Sequence, residues 1–523
     1  MNQPQANQPP RRNAGVFVRT PAQTQSECPH PHPIGTTLAV MIIAIALLTL
    51  QGQYPADIAA YGAKFTAVAL VVSFLFDVQK GIANVIRADV MAMLAFYFLT
   101  LFEFLFPQTM FNAMSRSDSA TVATQVVLTG FIGMLIGRHL VHPKMQPFQS
   151  VMSHEIPARL LVMLFWIAFC VGYMHQWMAP KVGWDPIKWL DFSMAARFVQ
   201  PWGRGRLGDF GALLYELNML IFLLPPLAGI ILARRQRFGG VALGLVMLAY
   251  LLTLFLAYCG GTRNVLATYL VTFLIGFAFA SSKGRKKELF IVGAAAGALL
   301  IFGTVTMIHI RTVGLKKYLA GEIPTSVGKS ESLYVDYNLY NISKLSEVFP
   351  KRVPYLGIEI AYLAIIRPIP RALWHGKPEG LSSSIERALG YDKGDVTISA
   401  SYAGEAYMAG GIIGVFLFSV FFGAVNGWWS HLASPKNSEL GILIYSSGFF
   451  AAVISMRSLF TYTTALLPTV AAIVGTTYLV RYLAEQGRRM AFRGGNKTRQ
   501  KMRTNRPASP PARPLQPPSP PEA

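Results

Sequence analysis

Long apolar runs separated by short polar breaks fill the chain from residue 34 to residue 480. A helix crossing a bilayer core of about 30 Å needs roughly 17 to 25 mostly apolar residues. Stretches that reach or approach this length are Ile34–Leu50, Ile58–Phe76, Val90–Phe106, Val122–Ile136, Leu160–Met178, Phe210–Ala233, Gly239–Tyr258, Val265–Ala280, Leu289–Ile310, Gly411–Trp429, Leu440–Met456 and Leu459–Val480. The fourth and eighth are short, and only Arg457 and Ser458 separate the last two. The pattern predicts an all-α polytopic membrane protein of about 12 transmembrane helices, to within one or two. Two longer connections interrupt it: residues 179–209, where tryptophans and basic residues alternate, and a large loop, 311–409, between the ninth and tenth spans. The ends break the pattern. Residues 1–33 are polar and proline-rich, and residues 481–523 are basic and then Pro/Ser-rich, so both read as disordered tails.

Composition agrees with the pattern. The 523 residues are 53% hydrophobic and 14% charged, against about 25% charged in soluble domains, and the mean hydropathy is +0.40. A net charge of +22 would suggest a nucleic-acid partner in a soluble protein, but its distribution along the chain gives it another meaning. Arg11, Arg12, Arg19, Lys80, Arg87, Arg138, Lys144, Arg159, Arg234, Arg235, Arg237, Lys283, Arg285, Lys286, Lys287, Lys436 and the tail from Arg481 all fall on one side of the alternating spans. The short connections opposite carry Arg116, Arg263 and Arg457. The positive-inside rule therefore predicts both termini cytoplasmic and no nucleic-acid partner. Cys28, Cys170 and Cys259 show no CxxC or Cys/His spacing, so neither a disulfide framework nor a zinc site is expected.

Candidate chemistry gathers on the outer side. Arg263 follows small residues in Cys259-Gly260-Gly261-Thr262, a turn where a ligand-gripping guanidinium and a snorkelling one fit equally well. In the large loop, Arg367-Pro-Ile-Pro-Arg371-Ala-Leu-Trp-His-Gly-Lys377 is stiffened by its prolines, and forked guanidinium groups there suit a diphosphate. The run Ser401 to Gly411 leads into the tenth span. Its Glu405 fits a general base or a helix N-terminal acid, and Tyr402 and Tyr407 fit a sugar platform or an interfacial belt. Residues 179–209, with Trp184, Trp189, Trp202, Arg204 and Arg206, suit an amphipathic helix on the membrane face. Lys64, Glu103 and Glu216 are ionisable residues inside spans. No P-loop, GxGxxG, HExxH or DxD occurs, so no cofactor and no metal is expected, and any outer-face reaction must use a substrate that is already activated.

These features together resemble the bacterial O-antigen polymerase family, the oligosaccharide repeat-unit polymerases. The resemblance covers residues 34–480 and rests on three things: GGTRN at 260–264, RPIPRALWHGKP in the loop, and Gly404-Glu405-Ala406-Tyr407 followed by Gly410 and Gly411. It implies a metal-independent glycosyltransferase of the bacterial inner membrane that polymerises undecaprenyl-diphosphate-linked glycan, as donor and acceptor, at the periplasmic face. A chain-length regulator and a flippase would be further partners. On that resemblance Arg263 and Arg371, with Arg204, Arg206, Arg367 and Lys377, stabilise the leaving diphosphate. Glu405 activates or positions the acceptor hydroxyl, with Asp336 as the fallback. Tyr402 and Tyr407 contact substrate, and the 179–209 connection shapes lipid access. Two alternatives remain: an O-antigen ligase-like enzyme, for which the loop offers only His375, and a lipid-linked oligosaccharide flippase or other transporter, which would place its charges in a central cavity.

Overall fold

The computed structural model describes residues 30–79, 84, 86–141, 152, 157–197, 199–202, 214, 217–281, 285–321, 337–367, 369, 373–374, 376–378, 399–433, 438–459, 465–478 and 482. Contacts divide the chain into Met1–Ile473 and Val474–Ala523, and the bundle described below is the first unit. In order, its helices are α1 (Pro33–Leu48), α2 (Pro55–Gln79), α3 (Ala88–Thr100), α4 (Thr109–Met114), α5 (Ser117–Gly137), α6 (Ala158–Trp177), α7 (Pro186–Ser193), α8 (Leu224–Ala233), α9 (Gly240–Cys259), α10 (Arg263–Ala280), α11 (Lys286–Val313), α12 (Leu315–Leu319), α13 (Asn338–Val348), α14 (Glu359–Ile366), α15 (Ser401–Ser430) and α16 (Glu439–Ile454). No strand occurs among the described residues. Six helices, α2, α5, α6, α9, α10 and α15, are long and apolar enough to cross a membrane. Shorter apolar helices occupy other predicted stretches, among them Pro33–Leu48, Ala88–Thr100, Asn218–Ala233 and Glu439–Ile454.

Two expectations change. The stretch Val90–Phe106 is not one helix: α3 stops at Thr100 and a 3-10 turn, Phe102–Leu105, follows. Pro107 lacks an N–H and disfavours helix in the residue before it, and Gln108 donates to the Glu103 carbonyl at 2.9 Å. Glu103 is therefore buried in a turn, Lys64 is exposed on α2, and no ion pair joins them among the described residues. The large loop, in turn, is partly built into the bundle. Leu339, Ile342, Leu345 and Val348 recur at helical spacing on α13 and are buried in the main core. Polar bolts hold α13 there. The Ser343 hydroxyl bonds to Ser115 at 2.5 Å and to Ser119 at 3.0 Å, and Asn338 donates to the Leu99 carbonyl at 3.0 Å.

The tightest seam runs between α5 and α15. Each carries a Gly-xxx-Gly pair, Gly133/Gly137 and Gly423/Gly427, and a methyl group added at Gly137 would lie 2.2 Å from the Val420 carbonyl oxygen. Small residues let helix backbones approach where no hydrophobic effect favours association in lipid. Gly137→Leu is expected to lower stability by the upper end of about 1–3 kcal/mol in a detergent melt. Gly244→Leu, on a position with open space around it, is expected to melt like the wild type.

Helix α15 is broken at Gly410 and Gly411, the latter at φ +63°. The Tyr355 hydroxyl lies 2.7 Å from where a Cβ of Gly411 would be. Backbone carbonyls freed at the break, those of Met408 and Ala409, accept hydrogen bonds from the Leu356 and Gly357 N–H groups, each at 2.9 Å. The backbone polar groups at the break thus find partners within the protein, as a nonpolar surrounding demands.

Candidate functional site

The turn joining α9 to α10 packs on the last turn of α11. Gly261 sits at φ +62°, and a Cβ there would lie 2.8 Å from the Cβ of Arg311, so glycine is required both for the backbone conformation and for room. Arg263, the first residue of α10, is half-buried. Arg311 is close enough for its positive charge to act on Arg263. Arg263 has no acidic partner among the described residues. The connection after α6 clasps the same place: the Arg197 N–H donates to the Arg311 carbonyl at 3.3 Å, the Leu315 N–H to the Met194 carbonyl at 2.8 Å, and Lys316 pairs with Asp191. Two neighbouring guanidinium groups repel each other, and an anion between them removes that cost while gaining charge-assisted hydrogen bonds.

In the 179–197 connection, Asp185 caps the short helix α7. Trp177 stacks on Trp189 at 4.5 Å and on Trp184 at 6.5 Å, while Trp184, Ile187 and Leu190 are exposed.

Around α15 the arrangement is different. Glu405 is buried, and both carboxylate oxygens are engaged, by the Ser458 hydroxyl at 2.6 Å and the Leu459 N–H at 2.5 Å. Arg367, at the end of α14, acts electrostatically on it. Lys377 is committed to the loop, donating to the carbonyls of Arg367 and Ile369 at 2.7 Å each. Tyr402 lies in the core with its ring against Phe96 and Phe422 and its hydroxyl on Ser419. This burial leaves no face for a sugar to stack on. Tyr407 is buried too, its hydroxyl donating to the Phe349 carbonyl at 3.3 Å. Ser399 joins Asn338 and the Arg457 carbonyl, so the run from 399 to 407 works as a hub between α13, α15 and the end of α16. The structure brings Arg367, Lys377 and Glu405 together and pairs Arg263 with Arg311, while Arg116 is an exposed residue capping α5. Arg204, Arg206, Glu216, Asp336, Arg371 and His375 lie outside the described residues. No group of His, Cys, Asp and Glu able to hold a metal occurs among the described residues.

At the other end of the bundle is a cluster that sequence reasoning missed. Asp77, Arg87, Asp89 and Arg138 are all fully buried. Arg138 donates to Asp77 at 3.0 Å and to Ser73 at 2.8 Å, and it also reaches Thr36. Arg87 forks onto Asp89, which also accepts from Ser430 at 2.7 Å. The cluster ties together the ends of α1, α2, α3, α5 and α15. Burial, with Arg138 and Arg87 adding to it, holds the His139 imidazole down to about 4, so this neighbour on Thr36 is neutral near pH 7 and the cluster balances two charges of each sign. In the sequence Arg87 and Arg138 stand only as inner-side markers. The two aspartates at the same span ends were the available signal.

Residues 338–462 match a family described as a domain of unknown function, DUF8712. The matched segment begins with α13 and includes the Glu405–Ser458 contact. No curated protein and no solved structure matches the chain.

Proposed function

We propose that the protein is a metal-independent glycosyltransferase with about 12 membrane spans and cytoplasmic termini. On this reading it polymerises undecaprenyl-diphosphate-linked oligosaccharide repeat units at the periplasmic face of a bacterial inner membrane. The observation that carries the reading is Arg263, held on a glycine turn where the Arg311 charge reaches it and with no acidic partner among the described residues. Two positive charges this near one another fit the diphosphate of a lipid-linked sugar. In the reaction, the bond from the sugar's anomeric carbon to the diphosphate breaks as the acceptor hydroxyl oxygen bonds to that carbon, and the negative charge growing on the diphosphate is met by the guanidinium groups. For Glu405 to take the acceptor's proton, the Ser458 hydroxyl must first release one carboxylate oxygen.

The buried four-charge cluster locks the ends of α1, α2, α3, α5 and α15 to one another, because exposing half of a buried ion pair is costly, so a transporter would have to move these five helices as one body.

The test is elongation of a lipid-linked repeat unit by purified protein in vesicles. Lengthened glycan is expected with wild type and strongly reduced product with Arg371→Ala. Transfer of the unlengthened lipid-linked unit across the bilayer would identify a flippase instead.

A further inference from the structure

A second basic surface lies where α8, α10, α11 and α16 have their ends together, away from the Arg263 turn. Four guanidinium groups there are fixed by two carboxylates. Arg234 and Arg237 converge on one oxygen of the buried Glu439, at 2.7 and 2.8 Å. Arg235 forks onto Glu288 at 3.0 and 3.2 Å. Arg285 lies 4.0 Å from the same carboxylate and donates to the Ala233 carbonyl at 2.7 Å, closing the end of α8. The arrangement holds two positive charges in excess, exposed Lys287 stands beside it, and the Arg234 Nε is buried with no hydrogen-bond partner.

Near these charges in the chain are apolar side chains that no described residue covers. Val241, Leu245 and Leu248 form one stripe on α9, and Phe290 and Ile291 stand on the first turns of α11; all five are exposed. α9 begins three residues after Arg237 and α11 begins next to Arg285, so both apolar faces start beside the basic cluster.

We propose that this cradle binds the phosphate of an anionic phospholipid, whose acyl chains lie along the α9 and α11 stripe. Charge complementarity selects the anionic headgroup. The apolar side chains beside it, on both helices, select a lipid over free phosphate, which would leave them bare. A generic basic rim would have mobile side chains, whereas here every guanidinium group is held by a carboxylate or a carbonyl. The site is separate from the one proposed for glycosyl transfer and does not depend on that reading.

Native mass spectrometry of the full chain, released from detergent with equal amounts of phosphatidylglycerol and phosphatidylethanolamine of identical acyl chains, tests the proposal. Phosphatidylglycerol is expected to be retained preferentially. Removing each guanidinium group should lower its retention about fivefold, so Arg235→Gln with Arg237→Gln should reduce it about 25-fold. The double variant keeps the Arg234–Glu439 pair and is expected to melt as the wild type does, which separates loss of the site from loss of the fold. Equal retention of the two lipids, or full retention of phosphatidylglycerol by a variant that melts normally, overturns the proposal. So does binding of inorganic phosphate alone with no lipid retained.

Discussion

Asp77→Asn is expected to destabilise the bundle by about 3–5 kcal/mol, the usual cost of leaving a buried charge without its partner. In the wild type, Arg87 and Arg138 are balanced by Asp77 and Asp89, all four removed from solvent. Asparagine keeps the shape of the side chain but removes one negative charge, so one guanidinium charge is left uncompensated where water cannot screen it. A paired replacement, Asp77→Leu with Arg138→Leu, removes one charge of each sign and is expected to recover most of the loss, because apolar groups of similar volume often replace a buried ion pair at little cost. Thermal melting of the three proteins in one detergent reads both effects. If Asp77→Asn melts within a degree of wild type, the cluster is open to water and does not lock the five helix ends together.

The second large effect is expected at the other end. Arg263→Ala and Arg311→Ala should each lower the rate of glycan elongation about 100-fold, the scale seen when one donor to a developing negative charge is removed. The double variant should be only slightly worse than either single one, because groups acting on a single phosphate function as a unit. Gly261→Ala makes the same point through the backbone. It forces a side chain into a left-handed turn and against the Arg311 stem, so it should reduce elongation while leaving both arginines in the sequence. Arg116→Ala, at an exposed position on the start of α5, should elongate at the wild-type rate. An Arg263→Ala protein that is folded and fully active would remove this turn from the site.

How much of this could be read in advance differs from place to place, for physical reasons. Helical spans were legible because a membrane-crossing helix must be apolar along its whole length, and α2, α5 and α9 show it without reference to any neighbour. The arginine turn was legible because two glycines before an arginine are unusual between two apolar runs. Its partner was not: Arg311 lies 48 residues after Arg263, and only the packing of α11 on the turn brings them together. Helix α13 did carry a signal, since Leu339, Ile342, Leu345 and Val348 repeat at helical spacing inside a segment read as a loop. Tyr402 illustrates the opposite error. Its position just before a span suggested access from outside, but Phe96 of α3 and Phe422 of α15 enclose its ring, and coverage by distant segments leaves no trace in local sequence.

The break in α15 has one more consequence. Residues 355–357 are hydrogen-bonded to residues 408–409, so the chain between them starts and ends at the same spot. A segment with its ends pinned side by side is a cassette: the entropy of closing it grows only with the logarithm of its length. The stretch between α14 and α15 can therefore change in length while the helices on either side keep their register. The bundle can accordingly stay constant while the stretch between α14 and α15 differs in length from one version of the protein to another.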